Sequence, residues 1–190
     1  MTSVLKVDTI QKSDGTGVFT TDSGGKVTGE VNDSRQCVMS FMRTSSVSGD
    51  QNPVPGWVNT ATQLSGDGAG EITRGGSVTH SSGTFSFPFT GLWCIEYYAS
   101  INPSASDNTI QVDIMTTQDN SSYSPFIQAK GGSGASGRKE MVTLKGLLKV
   151  TNISNDKVQF RHSSFGSNTA EGDTGVAITY CVFTWLGDAD

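Results

Sequence analysis

Apolar side chains never hold a helical period for long in this chain; they alternate. Ala, Leu, Glu and Lys build no sustained amphipathic repeat, so strands joined by turns are the expected product. The strongest strand is Leu92 to Ile101. It places Trp93, Ile95, Tyr97, Ala99 and Ile101 on one face and Cys94, Glu96, Tyr98 and Ser100 on the other. Thr109 to Thr116 alternates too, with Ile110, Val112 and Ile114 inward, and Lys157 to Arg161 points Val158 and Phe160 inward. Gly175 to Leu186 sets Val176, Ile178, Tyr180 and Val182 against Ala177, Thr179, Cys181, Phe183 and Trp185. Gln36 to Arg43, Thr84 to Phe89, Tyr123 to Ala129 and Glu140 to Val150 supply further strands, the second broken by Pro88. Strand follows strand without helices between, which excludes a Rossmann-like or α/β-barrel layout. The chain reads as all-β, an antiparallel β-sandwich, most simply a jelly roll. Evenly spaced hairpins of a lipocalin-like barrel fit less well, because residues 44–84 alternate poorly.

Composition narrows the function. Of 190 residues, 23 are Gly, 34% are hydrophobic and only 16% are charged, with a net charge of −5. Charge is scarce and no basic patch is visible, so nucleic acid is not an expected partner. The glycines lack a three-residue period, which excludes collagen. No run approaches the roughly 18 apolar residues of a membrane span. The opening MTSVLKVDTIQKSDG has no apolar stretch of signal-peptide length, so no secretory leader is expected. Three cysteines, Cys37, Cys94 and Cys181, sit inside apolar strands and read as buried free thiols.

Residues 1–33 differ from 34–190. Val4 to Ile10, Val18 to Thr21 and Lys26 to Thr28 are strand scraps between turns at Ser13-Asp14-Gly15 and Asp22-Ser23-Gly24-Gly25. Such scraps bury no core of their own, so other chains are expected to order them. In 34–190, the last strand is apolar on both faces, and Leu92 to Ile101 is so in part. A sandwich strand needs one apolar face. A partner subunit packed around an axis covers the second most economically.

Catalytic chemistry is sparsely supplied. His80 and His162 lack metal-ligand spacing and read as surface or hydrogen-bonded side chains. No G-x-S-x-G elbow, P-loop, dinucleotide fingerprint or C-x-x-C is present. The loop aspartates Asp107, Asp119, Asp156 and Asp173 read as turn caps, without a calcium-loop string. Glu96 and Asp113 are the formal carboxylate pair for glycoside hydrolysis, and Arg43 or Arg161 is a candidate partner for Glu96. No catalytic residue, metal or cofactor is assigned. The candidate ligand or surface contacts are aromatic: Trp57, Tyr123 and Phe165. Trp93, Tyr98, Phe183 and Trp185 are candidates for the core or a subunit axis.

Two stretches carry a family resemblance. MTSVLKVDTIQKSDGTGVFTTDSGGKVT, residues 1–28, resembles the N-terminal segment of tail-fibre and related virion proteins from phages of marine bacteria. GTFSFPFTGLWCIEYYASI, residues 83–101, with DNTIQVDIMTT, DKVQFR and the ending YCVFTWLGD, resembles the jelly roll of the C1q and tumour-necrosis-factor class. Phe85, Pro88, Gly91 and Trp93 stand at places comparable to that class's F-x-x-P-x-x-G-x-Y/W pattern, with Trp where Tyr is commoner.

The resemblance implies a homotrimer, with residues 1–33 an attachment segment contacting other virion proteins and 34–190 a C1q/TNF-like domain. It implies a virion fibre or tail tip that binds a host-surface glycan or protein. The alternatives are a structural component (head fibre, decoration or tail adaptor) and a carbohydrate-binding or carbohydrate-degrading module. The loops at 44–56, 66–82, 102–108, 131–138 and 163–174 are the expected recognition surface.

Overall fold

Where alternation is longest, the ladder is longest. The computed structural model describes residues 9–11, 17–21, 27–28, 35–64, 70–104, 107–133 and 138–189. The expected turns at 13–15 and 22–25, and parts of the loops at 66–82, 102–108 and 131–138, lie outside them. The chain forms two units, 1–35 and 36–190. In the first, β1 (Thr9–Gln11), β2 (Gly17–Thr21) and β3 (Val27–Thr28) make an antiparallel sheet in the order β1-β2-β3.

The second unit runs β4 (Gln36–Arg43), β5 (Val47–Ser48), β6 (Trp57–Asn59), α1 (Thr60–Gln63) and β7 (Ile72–Arg74). It continues with β8 (Thr79–Ser81), β9 (Thr84–Ser86), β10 (Gly91–Asn102), β11 (Asp107–Thr117) and β12 (Ser124–Ser133). It ends with β13 (Glu140–Val150), β14 (Lys157–Ser163), β15 (Thr169–Ala170) and β16 (Tyr180–Gly187).

The major strands divide between two sheets. The first has the order β4-β16-β10-β13, extended by short β5, β6, β7 and β15. The second has the order β12-β11-β14-β9-β8. All pairings are antiparallel, and the major strands cross between sheets as in a jelly roll, except that β11 and β12 pair side by side in the second sheet.

The inward faces match the alternation. Trp93, Ile95, Tyr97 and Ile101 from β10, Cys181 and Phe183 from β16, and Val158 and Phe160 from β14 are fully buried in one core. Aromatic rings fill its centre. Phe85 lies 4.9 Å from Phe183, 5.2 Å from Phe41 and 5.4 Å from Phe160, centroid to centroid. These are tilted or edge-on contacts, the arrangement favoured by ring quadrupoles. All three cysteines are buried and free, as expected of small hydrophobes.

Several local expectations fail for identifiable reasons. The strand expected from Thr84 to Phe89 stops at Ser86, two residues before Pro88, although Phe87 and Phe89 stay buried. The strand expected over 175–186 starts at Tyr180. Before it the backbone bonds to one residue of β4: Asp173 N donates to Arg43 O and Thr179 O accepts from Arg43 N, both at 3.0 Å. Val176 is consequently exposed, not paired. Gly172 in this segment packs so tightly on the Ser45 backbone that a Cβ would collide with it. Gly91 opens β10 with φ +128, where a Cβ would strike the Gly187 carbonyl and the Trp185 indole nitrogen. The helical turn α1 falls where no helix was expected; the Asn59 side chain caps it by accepting from Thr62 N at 2.9 Å.

Candidate functional site

The outward face of the first sheet carries side chains that an isolated sandwich does not need. Outward residues of β16 and β10 pair across the ladder as Val182 with Glu96 and Tyr180 with Tyr98. The Tyr98 and Tyr180 rings stack, with centroids 4.4 Å apart and planes 14° from parallel. Beside them Lys145 Nζ on β13 pairs with Glu96 Oε1 at 2.7 Å. Cys94, next along β10, pairs with Leu147, which is 54% exposed. Met141 and Leu186 lie open as well. Burial pushes the Tyr180 phenol up, with Tyr98 and Glu96 adding to the rise. The Cys94 thiol also goes up, by burial first, with Lys145 opposing and Glu96 adding. Both stay neutral at physiological pH. The face therefore offers apolar and aromatic surface beside the Lys145–Glu96 ion pair.

The candidate aromatic contacts separate. Trp57 and Phe165 are corrected from surface to core. Trp57 is 3% exposed, donates from Nε1 to Val54 O at 2.8 Å, and meets Phe85, Tyr97 and Phe160. Phe165 is fully buried and stacks on His162 at 4.4 Å. Both sit beside loops that fold across the sandwich end, so their rings seal it. Tyr123 is half-buried, its phenol bonded to Thr84 and Gln159 on the second sheet. Trp93 and Phe183 are core residues. Trp185 packs at its margin, edge-on to Phe89, and Tyr98 lies on the outward face.

The formal carboxylate pair does not form. Glu96 is on β10 in the first sheet, bonded to Lys145 rather than to Arg43 or Arg161. Asp113 is on β11 in the second sheet. It is fully buried under Gln128 at 2.7 Å, Gln111 at 3.1 Å and Arg161 at 2.8 Å, all donating to its carboxylate. Among the described residues no group of three or more His, Cys, Asp or Glu could hold a metal ion. None of the helices there is long and apolar enough to cross a membrane.

Two buried polar residues escaped sequence reasoning. Arg43 is 2% exposed and His162 1% exposed. The signal was present: Arg43 continues the inward series Cys37, Met39, Phe41, and His162 continues Val158, Phe160. The His162 ring shares a 2.5 Å hydrogen bond, through Nε2, with the Tyr97 hydroxyl. Burial, reinforced by Arg43, lowers His162 from its ordinary 6.5 to about 3. The folded chain thus keeps this imidazole neutral while the unfolded chain protonates it below about pH 6.5. Stability is then full above that pH and drains away as pH falls toward 3, by roughly 2 kcal/mol between pH 7 and pH 5. Denaturant titrations in sodium gluconate at the two pH values should show this, and the slope should shrink in His162→Phe. An equal slope in both proteins would refute the assignment.

No known family model matches the chain. No curated protein matches it either. Solved structures do. The Eiger TNF of S. frugiperda shares 13% identity over 82% of this chain and 96% of its own, with a TM-score of 0.63. Murine APRIL at pH 5.0 shares 11% over 80% of this chain and 100% of its own, with a TM-score of 0.57. The murine APRIL structure at pH 8.5 gives 11% and 0.56. The fold class is the C1q/TNF-like jelly roll. At these identities the likeness is one of fold alone.

Proposed function

We propose that the chain is a non-enzymatic virion protein, a homotrimeric fibre or tail tip whose jelly-roll loops bind the host surface. The observation that carries the trimer is the outward face of the first sheet. The Tyr98–Tyr180 stack, Leu147, Met141 and Leu186 are apolar surface whose burial around an axis would stabilise association. The likeness of residues 1–28 to virion tail-fibre segments supports the particle setting and gives residues 1–33 the attachment role. Three weak sites on one rigid body gain avidity without new contacts.

One observation favours a structural role instead, as head fibre, decoration or adaptor. Trp57 and Phe165, the aromatic residues nearest the candidate loops, are consumed by the core. That leaves the loops mostly small and polar. Competition separates the readings. Purified protein, added in excess to host cells before the phage, should block adsorption if the trimer recognises the surface. Undiminished adsorption, with the protein present on the particle, would establish the structural role.

A further inference from the structure

Among the described residues, the buried Arg43 has no ion-pair partner. Its side chain points between the sheets, and Nη2 donates to Ser45 O at 2.9 Å. Nε and Nη1 find no hydrogen-bond partner among the described residues, and no carboxylate there lies in ion-pair contact with the guanidinium. Trp57 lies beside it, with the guanidinium carbon 6.0 Å from the ring centroid. Arginine cannot shed its proton at any pH a folded protein meets. A lone buried cation is among the most costly features a core can carry.

His162 belongs to the same cluster. Trp57 packs on Tyr97, and Tyr97 bonds to His162. Burial holds the Tyr97 phenol protonated, its pKa far above the usual range. Where that hydroxyl donates to His162 Nε2, the imidazole carries its own hydrogen on Nδ1. Nδ1 also finds no partner. In that tautomer all three orphaned atoms are N–H donors, and two of them belong to the buried cation. Gly56, with φ +75, contributes no side chain beside the guanidinium: a Cβ there would come within 3.6 Å of both Nη1 and Nη2.

Donors without acceptors and a cation without an anion call for the same species. We infer that this end of the sandwich binds one small anion of the halide class, held by Arg43 and His162. A halide accepts several N–H bonds without directional demand and cancels the buried charge. Water would accept from the donors and leave the charge in place. Gluconate, far larger than a halide, serves as the reference anion.

The test uses the full chain. Unfolding temperature is measured in sodium chloride and in sodium gluconate at equal ionic strength. Chloride should raise it by about 5 °C in the native protein. The difference should vanish in Arg43→Met and fall in His162→Phe. Crystals grown in sodium bromide give a second readout that needs no variant. An anomalous bromine peak within bonding distance of the Arg43 guanidinium and His162 Nδ1 is expected. Equal unfolding temperatures in both salts, or a water in place of bromide, would overturn the inference.

Discussion

Tyr98→Asp should convert a particle of 60 kDa, three chains of 20.0 kDa each, into one of 20.0 kDa, as read by light scattering on the eluting protein. In an isolated sandwich this change is mild, because Tyr98 lies on a face open to water and surface substitutions cost about 0.5 kcal/mol or less. Around a trimer axis it is severe. The new carboxylate loses the stack with Tyr180 and is buried beside Glu96. An unpaired buried charge costs roughly 3–5 kcal/mol, and the trimer would meet that cost three times. Leu147→Lys provides an independent probe on the neighbouring strand, where the side chain is 54% exposed in the single chain. Both variants should keep the β-type circular dichroism of the parent. A trimer that survives both substitutions would place the interface elsewhere and remove the chief support for a fibre.

Phe85→Ala should come close to unfolding the chain. Phe85 is fully buried where five other rings meet: Phe41, Trp57, His80, Phe160 and Phe183. Removing a buried phenyl costs about 3–5 kcal/mol in transfer and cavity terms. Domains of this size have roughly 5–15 kcal/mol in hand. The denaturant midpoint should therefore fall by at least about a fifth. Phe126→Ala, at a ring 37% exposed on β12, should move it little. Equal effects of the two would mean that the sheets do not pack on Phe85.

Sequence reasoning reached the two-layer fold because inward apolar residues recur at every second position of β10, β14 and β16, and it placed Trp93, Phe160 and Phe183 correctly inside. It could not pair strands that lie far apart. Glu96 meets Lys145 because β10 and β13 are neighbours, and no periodicity within either strand states that. It named Trp57 and Phe165 only as candidate surface contacts, since both stand in or beside irregular loops. Loops that fold over a sandwich end bury rings without any repeat to announce it. Arg43 and His162 fail in the opposite way: the alternation points them inward, but their polarity argues against it. Such conflicts between pattern and chemistry mark the positions where a second component belongs.

The position of β16 has a consequence for synthesis. This strand sits between β4 and β10, and Cys181 pairs with Phe41 across 181 − 41 = 140 residues of chain. The first sheet cannot close until the ribosome has passed Gly187. A chain cut short before that strand leaves β4 without β16 and the first sheet split between β4 and β10. Long-range closure of this kind is slow and exposes apolar edges to aggregation. It also acts as a length check. A truncated chain cannot present the finished outward face, so incomplete copies would be barred from joining complete ones.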